Sequence, residues 1–256
     1  KIKRSLRTTN SKYSNGIFIM NAYLTYVCSD NFIPGVVALY NSVRLSNCNN
    51  DFIVLVTDDV SQESRDILNK KNLKIIDADK IYYNGQYKDK ILDRYGKVDQ
   101  SWKMFTKINI WKQTEYSKII YLDADTLVLN NIDELFDVKE LGSVIGGSVM
   151  LNYSGIEAGV LVVKPDTNTY NNIIDALKSD TYDIKMSDQS FLNDYFSKHG
   201  IINAIPEIYN RMWKKNRNPG GASIFHFNGS KPWIDRSSID KNTFDLWSYF
   251  YEYDNN

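Results

Sequence analysis

The run Ile119-Ile120-Tyr121-Leu122-Asp123-Ala124-Asp125-Thr126-Leu127-Val128-Leu129 sets two carboxylates inside an otherwise apolar stretch. The four residues before Asp123 read as a buried central strand, where an ionised carboxylate is costly unless a cation or hydrogen-bond donors meet it. In extended chain, positions i and i+2 share a face. Asp123 and Asp125 are therefore expected to converge at the carboxyl end of the strand, where open α/β sheets bind ligands. Two such carboxylates suit a hard divalent cation carrying phosphate oxygens. For an isolated D-x-D, an Asx turn with Asp125 capping the next segment is the simpler account, so the rest of the chain has to decide.

Upstream, strand and helix patterns alternate. Ala22 to Cys28 reads as a first strand, and a helix enters at Pro34 with Val36, Val37, Leu39, Tyr40 and Val43 on its apolar face. Phe52 to Val56 is a second strand, Asp59 to Lys71 an amphipathic helix with Ser61 as its cap, and Leu73 to Ile76 a third strand. Such an order predicts a parallel sheet. Tyr82 to Gln100, with Gly85 and Gly96, reads as a loop of the kind that covers ligands. Met104, Ile108, Trp111 and Thr114 recur at helical spacing and predict a helix from about Trp102 to Tyr116, with Lys107 in it.

Downstream, Ala158 to Val163 is a buried strand entered through Glu157, which places Glu157 at a strand edge as Asp125 is. Asp188 to Lys198 reads as a helix that Ser187 can cap, and Asp188 at its first turn is accounted for by the helix dipole alone. Ser223 to Phe227 is a short strand opening into Asn228-Gly229-Ser230-Lys231-Pro232-Trp233, so His226, Gly229 and Lys231 cluster. The C-terminal stripe Phe244, Leu246, Trp247 and Phe250 is expected to dock on the core.

A chain of 256 residues, 43% hydrophobic, supports one α/β domain. The expected division is a flexible tail over 1–21, a nucleotide-binding half over 22–129, a sugar and acceptor half over 130–235, and a docking segment over 236–256. With 31 basic against 31 acidic residues there is no global field to attract nucleic acid or anionic lipid. No apolar run approaches the roughly 20 residues of a membrane span. Cys28 and Cys48 form neither a disulfide framework nor a zinc spacing, which favours a reducing compartment. The sequons at Asn152 and Asn228 would accept glycans in a secretory lumen, but the second lies in the candidate site, so a cytoplasmic location is expected. Composition does not encode oligomeric state, and a homodimer stays open.

Taken in order, the motifs resemble glycosyltransferase family 8, its glycogenin-like branch, from about Ala22 to Trp233. They are Ser29-Asp30 with Phe32, Thr106-Lys107-Ile108 before Trp111, Asp123-Ala124-Asp125-Thr126-Leu127, Ala158-Gly159-Val160, Ser187-Asp188-Gln189 before Phe191-Leu192-Asn193, and His226-Phe227 through Gly229 to Lys231-Pro232-Trp233. The resemblance implies a single GT-A type α/β domain, with a Rossmann-like, mostly parallel central sheet flanked by helices and a smaller acceptor-side subregion. It implies retaining transfer of a hexose from a UDP-sugar, UDP-glucose foremost, to a glycan or glycosylated protein. It places Mn²⁺, with Mg²⁺ as substitute, on Asp123, Asp125 and His226. The nucleotide-sugar would meet Phe32, Lys107, Ala124, Glu157, Ala158, Gly229 and Lys231, with Phe32 stacking on uracil unless it only packs the core. Asp188 and Gln189 would stand at the anomeric carbon, Asp188 as nucleophile or cation stabiliser.

Three positions depart from that pattern. Glu157 stands where glycogenin-like sequences carry Asn, Ser187 where they carry Gly, and the step from Gly229 to Lys231 is one residue shorter. Arg211 to Phe225 contains no tyrosine for self-priming, which leaves Tyr209 and others among the 18 tyrosines as acceptors. The alternatives are a non-catalytic carbohydrate or UDP-sugar binder and a metal-dependent phosphohydrolase of haloacid-dehalogenase type. The latter normally opens on its D-x-D strand and would leave His226 and Lys231 unexplained.

Overall fold

Three almost wholly buried strands and one half-exposed edge strand form the parallel half of the main sheet: β3 (Asn21–Val27), β4 (Asp51–Val56) and β6 (Lys118–Leu122), with β5 (Lys74–Asp77) at the edge. Successive side chains point to opposite faces. Leu24, Ile53, Leu55, Ile119 and Tyr121 accordingly enter one core cluster, while Tyr23, Val54, Ile120 and Leu122 enter another on the far face. Burial on both faces explains why β3, β4 and β6 read as apolar runs rather than alternating ones. The computed structural model describes residues 13–14, 17–18, 20–83, 100, 102–148, 152–179, 181–213 and 219–253. The loop expected over 82–100 therefore lies largely outside the described residues, as does most of the tail expected over 1–21. Within that tail, β1 (Tyr13–Ser14) pairs antiparallel with β2 (Ile17–Phe18), and Asn21 already belongs to β3.

Beyond β6 the sheet changes direction. It continues through β10 (Val160–Val163), β8 (Gly142–Ser148) and β11 (Asn203–Ile205), in the order β11-β8-β10-β6-β3-β4-β5, with β9 (Tyr153–Ile156) paired to β8. β10 runs antiparallel to β6, with Val160 opposite Leu122. A second, three-stranded sheet holds β12 (Arg211–Met212), β13 (Ile224–His226) and β7 (Thr126–Val128), with His226 opposite Thr126.

α1 (Ile33–Leu45) begins with Pro34 in its first turn and covers one face of the main sheet. α2 (Gln62–Lys70) is capped by the Ser61 hydroxyl, which accepts from the Ser64 N–H at 3.2 Å. The helix expected from Trp102 to Tyr116 is a single α-turn, α3 (Trp102–Phe105), that tightens into a 3₁₀ run over Thr106–Lys112. Every residue from Thr106 to Trp111 is buried, so the segment lacks the solvent face of an amphipathic helix. Side chains also claim its carbonyls: the Asn109 amide donates to the Thr106 carbonyl, and Gln113 to that of Asn109.

α4 (Thr167–Ala176) and α5 (Asp188–Lys198) follow. α5 starts where predicted, but Ser187 does not cap it with its side chain. Its backbone stands at φ 57°, ψ −130°, and its buried hydroxyl has no hydrogen-bond partner among the described residues. That conformation favours glycine. The C-terminal helix α6 (Lys241–Tyr251) buries Trp247 and Phe250, and the Asn41 amide of α1 donates to the Phe250 carbonyl at 2.7 Å.

Candidate active site

β6 ends at Leu122 and β7 begins at Thr126, so the D-x-D triplet is the turn by which the chain leaves one sheet for the other. The carboxylates thus converge through a turn rather than through the alternation of one strand. Thr126 closes it, its N–H and hydroxyl both donating to the Asp123 carbonyl. Each carboxylate is then fixed by pairing in a different sheet. The Asp123 N–H donates to the Gly159 carbonyl at 2.8 Å, which brings Glu157-Ala158-Gly159 alongside. The Phe227 N–H donates to the Asp125 carbonyl at 2.8 Å, which brings His226.

The ligand atoms of Asp123, Asp125 and His226 all lie within 4.8 Å of one another. His226 Nε2 is 3.2 Å from Asp125 Oδ1, and Lys231 Nζ is 2.5 Å from Asp125 Oδ2. Burial pushes the Asp125 carboxyl up, but His226 and Lys231 outweigh it and hold the group well below the usual carboxylate range. Burial likewise pulls His226 down, and the Asp125 charge more than offsets it. Gly159 is required by this packing: a Cβ there would come 2.4 Å from His226 Cε1.

Lys107 joins this cluster to Asp188. Only 6% exposed, it lies 2.9 Å from Asp188 Oδ2 and 3.3 Å from Asp123 Oδ1, and donates to the Ala158 carbonyl at 3.4 Å. Burial opposes its charge, but the two aspartates hold its ammonium above the ordinary lysine range. Burial drives the Asp188 carboxyl up, with Lys107 acting against it. Gln189 Oε1 accepts the Ala158 N–H at 3.1 Å. Burial also raises Glu157, against which His226 and the Gln189 side chain act.

The remaining expected residues form the rim. Phe32 is half-buried, edge-on to Trp233 with ring centroids 5.9 Å apart. Trp233 and the Ala124 carbonyl both crowd Gly35, where a Cβ would lie within 2.8 Å of either. Gly229 adopts φ 98°, which a side chain would strain, and Lys231 also donates to the Phe227 carbonyl at 2.7 Å. Tyr209 is buried with its hydroxyl on Glu134, so it is not presented as an acceptor.

Two partners of the cluster went unread in the sequence. The buried Asn210 places Oδ1 2.8 Å from His226 Nδ1, leaving Nε2 to face the carboxylates. The Tyr121 hydroxyl donates to Asp123 Oδ1. Tyr121 carried a signal, standing two residues before Asp123 in strand parity; Asn210 carried none, because only the pairing of β12 with β13 brings it there.

The donor set fits a divalent cation. Four acids, Asp123, Asp125, Glu157 and Asp188, gather here around Lys107 and Lys231, and two carboxylates with an imidazole are competent ligands for such an ion.

The solved structure of the galactosyltransferase LgtC, in complex with donor and acceptor sugar analogs, has the same fold: TM-score 0.62 over 90% of this chain and 95% of that one, at 16% identity. The architecture is that of the GT-A glycosyltransferases. The sequence matches glycosyl transferase family 8 over residues 23–237, and the chain belongs to that family. It is 30% identical to Glycogenin-1 of Caenorhabditis elegans over 248 residues, which are 90% of this chain and 55% of that protein. It is 32% identical over 177 residues to Inositol phosphorylceramide glucuronosyltransferase 1 of Arabidopsis thaliana, covering 68% of this chain and 30% of that one. The chain thus spans about half the length, or less, of these relatives.

Proposed function

We propose that the chain is a retaining, Mn²⁺-dependent hexosyltransferase that takes glucose from UDP-glucose and delivers it to a glycan or glycosylated protein. The observation that carries this reading is Lys107, one buried ammonium in contact with both Asp123 of the cation cluster and Asp188. In this reading Asp123, Asp125 and His226 would hold the metal, which when bound would supply positive charge to stabilise a departing diphosphate. Lys231 and the backbone at Gly229 receive the diphosphate, and Phe32 with Trp233 borders the uracil. Asp188 faces the anomeric carbon, paired with Lys107 and set in place at the first turn of α5. Gln189 fixes the Ala158 turn against which the sugar rests. Retention requires the acceptor on the face the diphosphate leaves, either after a glycosyl-enzyme on Asp188 or by front-face displacement with Asp188 stabilising the cation.

The division proposed is a nucleotide half over 22–129, a sugar half over 130–235 and a docking segment over 236–256. Free Cys28 and Cys48 support a reducing, cytoplasmic setting. Among the described residues no helix is long and apolar enough to cross a membrane.

The test is UDP release from a panel of UDP-sugars with Mn²⁺, with EDTA, and with Asp123→Ala. Selective, EDTA-sensitive release from UDP-glucose that the variant lacks is expected. Metal-dependent UDP binding without release, in the presence of glucans and glycoproteins, would instead make the chain a binding protein.

A further inference from the structure

Glu157 is the acid of this site that lacks a lysine or arginine partner among the described residues. Asp125 has Lys231, and Asp123 and Asp188 share Lys107. The Glu157 carboxyl meets the Gln189 side chain and feels the charge of His226, which is neutral when it ligates a metal. It is 8% exposed and lies flat in a notch of β8, where a Cβ on Gly146 would come 2.2 Å from Oε1. Glu157 is also in the turn that pairs with Asp123, beside Gln189 and hence Asp188, so it borders the space between the cation cluster and the proposed anomeric position.

A buried carboxylate without a cation lowers its cost by accepting hydrogen bonds from donors such as sugar hydroxyls. A second carboxylate brought against it is repelled, at a low local dielectric and with no lysine or arginine to mediate. The diphosphate of the donor brings further negative charge to this acid-rich site. A uronate would add to that charge next to Glu157. Two relatives of this chain are named for different donor chemistry, a glycogenin and a glucuronosyltransferase, so family membership leaves the choice open.

We propose that Glu157 selects donors whose sugar is uncharged and rich in hydroxyls, and rejects nucleotide-sugars that carry a carboxylate on the sugar. The proposal rests on the UDP-sugar reading of the site.

The experiment compares UDP, UDP-glucose and UDP-glucuronate by calorimetric titration with Mn²⁺ present, on the wild type and on Glu157→Gln. The substitution keeps the shape that fills the Gly146 notch and removes the charge. UDP, which has no sugar, normalises each protein for folding and for the metal site. The wild type should favour UDP-glucose over UDP-glucuronate by at least about 10-fold, and the variant should narrow that preference to within about 3-fold, chiefly by binding the uronate more tightly. A preference that Glu157→Gln leaves unchanged, or a wild type that favours the uronate, overturns the proposal while metal-dependent UDP binding keeps the broader reading intact. Absence of metal-dependent UDP binding in the wild type overturns both.

Discussion

The centre of the main sheet and the seam where it meets the three-stranded sheet are equally buried and oppositely made. Along β3 and β4 the inward residues are almost all apolar, and the strands supply two cores by simple alternation. At the seam, Asp125, Glu157 and His226 at or near the ends of β6, β10 and β13, Lys107 from the 3₁₀ run and Asp188 from the first turn of α5 are all buried. The first region is stable because it leaves water easily. The second is held in place by the first and carries charges that no isolated element would keep buried. Stability and chemistry should therefore separate under mutation.

The largest expected effect is on stability in the sheet centre. Leu55→Ala in fully buried β4 should cost about 2–5 kcal/mol through lost burial and the cavity left behind, measured by urea unfolding. β4 carries none of the site groups, so nucleotide affinity of the folded protein should be unchanged. A proportional loss of affinity would break the contrast.

Next comes Asp188→Asn, where the two effects should run in opposite directions. The folded carboxyl sits above its ordinary value of 3.8, chiefly from burial. For an acid with a raised folded pKa, the folded state binds more protons than the unfolded one between the two values. Stability is therefore lost as pH rises through that window, and the loss persists above it. The asparagine variant should be at least as stable as the wild type at neutral pH, with the difference shrinking as pH falls towards 3.8. Transfer should fall by about 10²–10³-fold, and metal-dependent UDP binding should remain. Thermal unfolding across pH beside transfer assays checks both. A clear destabilisation at neutral pH would show that the pairing with Lys107 outweighs burial.

The same contrast explains how much was legible in the sequence alone. β3, β4, α1 and α2 announce themselves by periodicity, by Pro34 and by the Ser61 cap, because their burial is a property of local pattern; α5 begins where read although Ser187 does not cap it. Asp123 and Asp125 stood out as costly charges in an apolar run and His226 and Lys231 by clustering around Gly229, whereas Asp188 was singled out only through the family resemblance; the structure gathers all five with Lys107 and Glu157. Hidden was everything decided by pairing between distant strands: the antiparallel β10, the separate sheet of β12, β13 and β7, and with it Asn210 on His226. The 3₁₀ run over Thr106–Lys112 escaped because apolar spacing does not record how Asn109 and Gln113 use their amides.

Tyr121 belongs to both regions and gives the finest cut between them. Its ring is packed in the core cluster under β6, with Lys107 Nζ 5.1 Å above it, while its hydroxyl donates to Asp123 Oδ1. Lys107 occupies the same oxygen at 3.3 Å, and of the two Asp123 oxygens Oδ2 is the one a Cβ on Gly159 would meet, at 3.2 Å, beside the His226 ring. The hydroxyl therefore turns Asp123 so that Oδ2 faces the cation position. Tyr121→Phe keeps the ring and removes only that hold. Mn²⁺ affinity measured in the presence of UDP should fall by about 10-fold, about 1.4 kcal/mol, while unfolding free energy changes by no more than about 1 kcal/mol. Unchanged Mn²⁺ affinity would assign the orientation of Asp123 to Lys107 alone; a stability loss without an affinity loss would make Tyr121 a core residue whose hydroxyl merely finds the nearest acceptor.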